Sequence, residues 1–268
     1  MTRMPHVALL HVALLLTAAG CSTQQSATPS TTGDLVDLSH AYDAQTIFWP
    51  TSEPFRLEKV AEGFTDAGYF YAANSFFTSE HGGTHLDAPI HFAQGRQSVE
   101  QIPVDRFVGE AVVIDVTEAS ARDADYEVTV EDIERSERED GAIPAGAIVL
   151  IRTGFSERWP DAEKYLGTAE RSPEAVSQLH FPGLHPDTAA WLAANRAIKA
   201  VGIDTASIDR GQSTLFEAHR ALFERDVPAF ENLTSLDRLP TRGATVIALP
   251  MKSAGGSGAP LRAIAILP

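Results

Sequence analysis

Three of the nine histidines and one aspartate fall within eleven residues of the run Ser79-Glu-His-Gly-Gly-Thr-His-Leu-Asp-Ala-Pro-Ile-His-Phe92. Gly82, Gly83 and Pro89 rule out a helix there, so the alternation of His85 and Asp87 follows strand periodicity and places both side chains on one face. His81 can fold back over the diglycine turn to join them. Two imidazoles and a carboxylate form an N/N/O donor set suited to zinc and acceptable to manganese or iron, and three protein ligands leave a position open for water. A lone histidine is usually a core or surface residue, but a packed group of imidazoles would otherwise need a separate partner for each ring.

His91 lies four residues beyond Asp87 and past Pro89, close to the group but off its alternating face. It fits a fourth ligand, a residue that orients a ligand, or a proton carrier. The carrier role is favoured, because an imidazole with an ordinary pKa of about 6.5 exchanges protons near neutrality.

Positioning these groups falls to an α/β domain. Short β-branched runs predict strands over residues 35–38, 55–60, 70–75, 111–116, 148–152, 200–203, 245–249 and 262–267. Three are continuous apolar runs, as in strands buried on both faces. Amphipathic stretches predict short flanking helices over 130–137, 187–195 with Pro186 at its entry, and 215–224. The expectation is one domain of mixed β-sheets, residues 34–268, with no second linker or repeat. A hydrophobic content of 44% supports a large core. The net charge of -15 repels phosphate backbones and argues against nucleic acid as a partner.

The start of the chain reads differently. Arg3, an apolar run over 7–16 broken by His11, and Ala18, Ala19 and Gly20 before Cys21 form a signal peptide ending in a lipobox-like Gly-Cys. That run is too short to span ~30 Å of hydrocarbon. Residues 1–20 are therefore expected to be a lipoprotein leader and Cys21 the lipidated amino terminus. The Ser, Thr, Gln and Pro-rich residues 21–33 suit a flexible tether to the bacterial cell envelope.

His81 to Phe92 match every fixed position of His-x-Gly-Thr-His-x-Asp-x-Pro-x-His-Phe, and on these residues the chain resembles the cyclase family, which includes bacterial kynurenine formamidases and isatin hydrolases. The resemblance extends to Trp49-Pro50, Arg152-Thr153-Gly154, Gly202-Ile203-Asp204, Ser207-Ile208-Asp209, Gly255-Gly256-Ser257-Gly258 and Arg262-Ala263. It implies a swivelling β/β/α-like fold and a homodimer. It also implies two zinc ions, the first on His81, His85 and Asp87, with Asp87 bridging to a second held by His219 and Glu231. His91 becomes the catalytic histidine and Trp49 the substrate contact. By themselves, His219 reads as a helix-surface histidine, Glu231 as a solvated carboxylate, and Trp49 equally well as core packing. Asp204 and Asp209 read as turn or cap residues. Arg152 fits either a substrate carboxylate or an internal acid.

The expected activity is metal-dependent amide hydrolysis, with N-formyl-L-kynurenine or a related aryl formamide as substrate and His91 delivering a proton to the departing nitrogen. One rival is a cyclic amide or lactone such as isatin, opened with a single manganese. Another is a metal- or solute-binding lipoprotein without turnover, against which His91 argues, since pure binding needs no proton shuttle. Export weighs against a role in intracellular tryptophan breakdown.

Overall fold

Apolar runs at 111–114, 148–151 and 200–203 become the buried centre of the domain, in a computed structural model that describes residues 33–268. The expected leader and, apart from Gly33, the expected tether lie outside the described residues. The strands are β1 (Leu35–Asp37), β2 (Arg56–Phe64), β3 (Phe70–Phe77), β4 (His85–Asp87), β5 (Val108–Asp115), β6 (Glu127–Val128), β7 (Ile148–Arg152), β8 (Gly183–Leu184), β9 (Ala200–Ile203), β10 (Ala229–Glu231), β11 (Thr245–Pro250) and β12 (Gly258–Ile266). The α-helices are α1 (Thr117–Arg122), α2 (Val130–Asp140), α3 (Ala162–Leu166), α4 (Pro186–Asn195) and α5 (Glu217–Phe223).

Eight strands form one mixed sheet in the order β1-β12-β11-β5-β7-β9-β10-β4, and a further β4–β12 pairing curls it round into a barrel-like ring. β5, β7, β9 and β10 run parallel through the centre, while β4, β11 and β12 pair antiparallel. Alternate side chains of the central strands enter two cores, which is why their sequences are apolar throughout. Ala111, Val113, Ile148, Leu150 and Ala200 face the interior, together with Ala259, Ala263 and Ala265 of β12. Small side chains there suit a narrow enclosed space. Val112, Ile114, Val149, Ile151, Val201 and Ile203 face outward under α2, α4 and α5.

The mixed α/β architecture, all eight expected strands and all three expected helices are present. α2 begins on a capping box of Thr129 with Asp132 and stops at Gly141, whose φ of 93° only glycine adopts readily. β4 is the short strand that the alternation of His85 and Asp87 implied, while the strands β6, β8 and β10 and the helices α1 and α3 are additional and short. Two pairs stand apart from that sheet: β6 with β8, parallel, and β2 with β3, antiparallel across a bulge between Lys59 and Ala61. This hairpin leaves Leu57, Val60, Phe64, Phe70, Phe76 and Phe77 exposed. Among the described residues no helix is long and apolar enough to cross a membrane.

Candidate metal centre

β4 supplies His85 and Asp87 on one face and turns Leu86, fully buried, into the interior core. Its antiparallel partner β10 sets Glu231 directly opposite His85 and Ala229 opposite Asp87. On the other edge Gly258 of β12 faces Asp87, where a side chain would collide with His81. α5 brings His219 over the same spot, its backbone N–H and that of Ala218 donating to the carboxylate of Asp209.

The diglycine turn works as its residue types require. Gly83 has φ +58°, and a Cβ on Gly82 or Gly83 would fall within 2.0 Å of Phe48 or 2.6 Å of Tyr42. Tyr42 Oη donates to the carbonyls of Gly82 and Thr84, which clamps the turn. His81 folds back as expected, its Nδ1 2.7 Å from Asp87 Oδ1. His85 Nε2 lies 3.0 Å from Asp87 Oδ1 and 3.5 Å from Glu231 Oε2, while His219 Nε2 lies 3.2 Å from Asp87 Oδ2 and 3.1 Å from Glu231 Oε1.

Two trios result, His81–His85–Asp87 and Asp87–His219–Glu231, each with its ligand atoms within 4.8 Å of one another. Asp87 belongs to both. His85, Asp87, His219 and Glu231 are all buried. Burial and the neighbouring charge of Asp87 raise the pKa of Glu231. Burial also opposes ionisation of Asp87, but the charge of His81 and hydrogen bonds from His219 and His81 outweigh it and hold Asp87 well below the usual carboxylate range. His85 Nε2 is buried among these oxygens without a hydrogen bond. An orphaned imidazole nitrogen between buried carboxylates is what a divalent cation satisfies, and the donor set suits zinc or manganese. All five sequence-predicted ligands are thus brought together and fit a metal.

His91 sits in a 3-10 turn, Pro89–His91. Its ring stacks on His81, with centroids 3.8 Å apart, and its Nε2 is 3.9 Å from Asp87 Oδ2. It lies beside the cluster and outside both trios. Trp49 lines a cavity of about 220 Å³ above the cluster, with Phe48, Phe92 and Phe216. Phe216, at φ 48°, tilts against Trp49 at 6.2 Å and stacks on Phe92 at 4.8 Å.

Asp204 is structural, as read: it accepts from Thr153 and from the backbone N–H of Gly154. Arg152 pairs with Asp115 at 2.6 Å rather than facing the cavity. Asp209 caps α5 but also meets His219 Nδ1 at 2.5 Å, and so orients a candidate ligand. That second role was not legible locally. Nor was that of Asn232, whose amide donates to the Gly83 carbonyl and accepts from Tyr165 Oη. Its φ of 53° is a conformation that asparagine tolerates better than most residues, the one available signal.

A ring of mixed strands thus places a cluster that could hold a metal beneath an aromatic cavity. The chain belongs to the cyclase family: the family model described as "Putative cyclase" matches residues 36–210. It is 33% identical to the isatin hydrolase of Roseibium aggregatum over 220 residues, 79% of this chain and 81% of that protein. With the kynurenine formamidase of Salinibacter ruber it shares 32% identity over 232 residues, 86% of this chain and 96% of the other. Among solved structures, isatin hydrolase A from Ralstonia solanacearum superposes with a TM-score of 0.79 at 32% identity, covering 88% of this chain and 92% of that one. An isatin hydrolase bound to the product analogue thioisatinate gives 0.78 at 30% identity, with 88% and 92% covered.

Proposed function

We propose that this chain is a metal-dependent amidohydrolase acting on N-formyl-L-kynurenine or a related aryl formamide. The observation that carries the reading is the buried His/Asp/Glu cluster at the floor of a cavity walled by Trp49, Phe92 and Phe216. His81, His85 and Asp87 would hold one ion, and Asp87, His219 and Glu231 a second, zinc or manganese. Ions bound there supply Lewis-acid polarisation of the scissile carbonyl and lower the pKa of water towards ~7.

The chain's own groups do the rest. Trp49 packs on the aryl ring and directs the amide towards the cluster floor. The cavity, about 220 Å³, suits one ring with a short acyl-nitrogen arm. His91 is neutral at pH 7, because burial lowers its pKa to about 4. It takes the proton released by the attacking water and delivers it to the nitrogen as the C–N bond breaks.

A second reading, opening of a cyclic amide such as isatin, is favoured by the isatin hydrolases among both the sequence relatives and the solved structures. A hydrolysis screen of aryl formamides, isatins and lactones, with zinc and manganese supplied separately, distinguishes them. The expected result is the highest kcat/KM on aryl formamides. Preference for isatin transfers the assignment to the second reading, and no turnover of any member leaves a binding lipoprotein.

The proposal includes a homodimer. The β2–β3 hairpin exposes more large apolar side chains than a solitary chain comfortably leaves in water, which supports its burial against a second copy. Light scattering giving a monomer mass would remove that element. It also includes export and lipidation at Cys21, supported by the leader pattern alone.

A further inference from the structure

Each histidine of the cluster turns one ring nitrogen towards Asp87 or Glu231 and leaves the other to an outside partner. The outer Nδ1 of His219 meets Asp209, and the outer Nδ1 of His85 meets the Gly83 carbonyl at 2.9 Å. His81 is reversed. Its Nδ1 faces Asp87, while its Nε2 lies 3.0 Å from Ser257 Oγ. The Ser257 hydroxyl donates to Glu80 Oε2 at 2.6 Å, and the Ser257 backbone N–H donates to the same oxygen at 3.0 Å.

The direction of this chain follows from donor counting. A carboxylate only accepts, so the single hydroxyl proton of Ser257 is committed to Glu80. The lone pair left on Oγ then faces His81 Nε2, which must donate. Of the two neutral tautomers this selects the one with its proton on Nε2, so that when a cation takes the place of any proton on Nδ1, the nitrogen 2.7 Å from Asp87 Oδ1, the ring keeps its donor towards Ser257. An unprotonated nitrogen set against a carboxylate oxygen is a cation site.

We propose that Ser257 and Glu80 are positioning residues that fix the tautomer of His81, and so turn a partly exposed imidazole into a metal ligand through Nδ1. The inference rests on the metal reading above. It also accounts for the Gly255-Gly256-Ser257-Gly258 segment. A Cβ on Gly258 would stand 2.4 Å from His81 Cε1, and one on Gly256 would stand 3.0 Å from Glu80 Oε1. Glycines let the backbone close on the ring and the carboxylate, and the serine between them supplies the hydroxyl. His81 needs such support most, since its side chain is 23% exposed against 2% for His85 and 3% for His219.

The test is zinc affinity by chelator competition on the purified chain, with the melting midpoint of the metal-free protein as a check on folding. Ser257→Ala should bind zinc ~10- to 100-fold more weakly, the usual effect of losing a partner behind a ligand, with an unchanged metal-free midpoint. Ser257→Thr, which keeps the hydroxyl, should stay within a few-fold of wild type, and Glu80→Gln should lie between. In a His81→Ala background, Ser257→Ala should cost nothing more. Wild-type affinity in Ser257→Ala, beside clear loss in His81→Ala, overturns the relay and leaves the metal reading standing. An undiminished Ser257→Ala loss in the His81→Ala background does the same. A wild-type chain that binds no zinc or manganese overturns both.

Discussion

Replacing His91 with alanine separates proton transfer from metal binding, because the two roles place the imidazole differently. Its Nε2 is 3.9 Å from Asp87 Oδ2, beyond hydrogen-bond reach, and its ring stacks on His81 without entering either ligand trio. His91→Ala should therefore keep the metal content of the wild type. Burial, aided by the charges of His81, His219 and His85 and opposed by Asp87, brings the His91 pKa to about 4. The ring is then neutral at pH 7 and free to accept a proton. A positioned general acid–base is worth ~100- to 10,000-fold, or about 2.7 to 5.4 kcal/mol of barrier, and kcat should fall by that factor. KM should change little, since Trp49 and the cluster retain the substrate. The loss should depend on the leaving group. An anilide needs the proton as its nitrogen departs and should suffer most, whereas an activated ester, whose oxygen leaves unprotonated, should suffer least. The assay pairs steady-state kinetics on an aryl formamide and a nitrophenyl ester with metal analysis of the same preparations. Depletion of metal, or equal losses on the two substrates, would refute the shuttle and make His91 a ligand or a support.

Because Asp87 lies in both trios, Asp87→Ala should strip more metal than any other single substitution, as read by elemental analysis; unchanged content would remove Asp87 from the ligand set. One equivalent surviving both His219→Ala and Glu231→Ala would instead indicate a single-ion centre. His40 stacks on Trp159 at 4.1 Å with Nε2 lacking a hydrogen bond, and burial, opposed by Asp37, lowers its pKa from 6.5 to about 4. The unfolded chain therefore takes the proton first, and stability should fall as pH drops from about 6.5 to about 4, by about 2–3 kcal/mol after allowance for solvent screening. His40→Phe should flatten that slope in urea melts at pH 7 and pH 4.5, and an unchanged slope would place the titration elsewhere. Cys21→Ser should move the protein out of the detergent phase; wild type already soluble, with Ser22 or a later residue at its amino terminus, would defeat the lipoprotein reading.

Features written in local order were legible in the chain. The alternation of His85 and Asp87, interrupted by glycines and proline, can place its side chains in only one way, and the structure places them so. The apolar runs of β5, β7 and β9 announced strands buried on both faces for the same reason, since a period of two that never turns polar leaves no solvent face. The resemblance carried His219 and Glu231 into the site, which their own neighbourhoods did not. β10 has three residues, too few to signal a strand, and only its pairing with β4 sets Glu231 opposite His85.

Tertiary structure alone decided the remainder. Asp209 reads as a cap until α5 folds back over it, Ser257 as part of a glycine-rich turn until β12 closes against β4, and Arg152 as a partner for either a substrate carboxylate or an internal acid until Asp115 pairs with it. The β2–β3 hairpin carries Leu57, Val60, Phe64, Phe70, Phe76 and Phe77 yet stands outside the buried clusters. Periodicity along a chain specifies which side of an element a residue occupies, because backbone geometry is local. Which elements then meet depends on contacts between residues far apart in sequence, whose energies no short window of the chain contains.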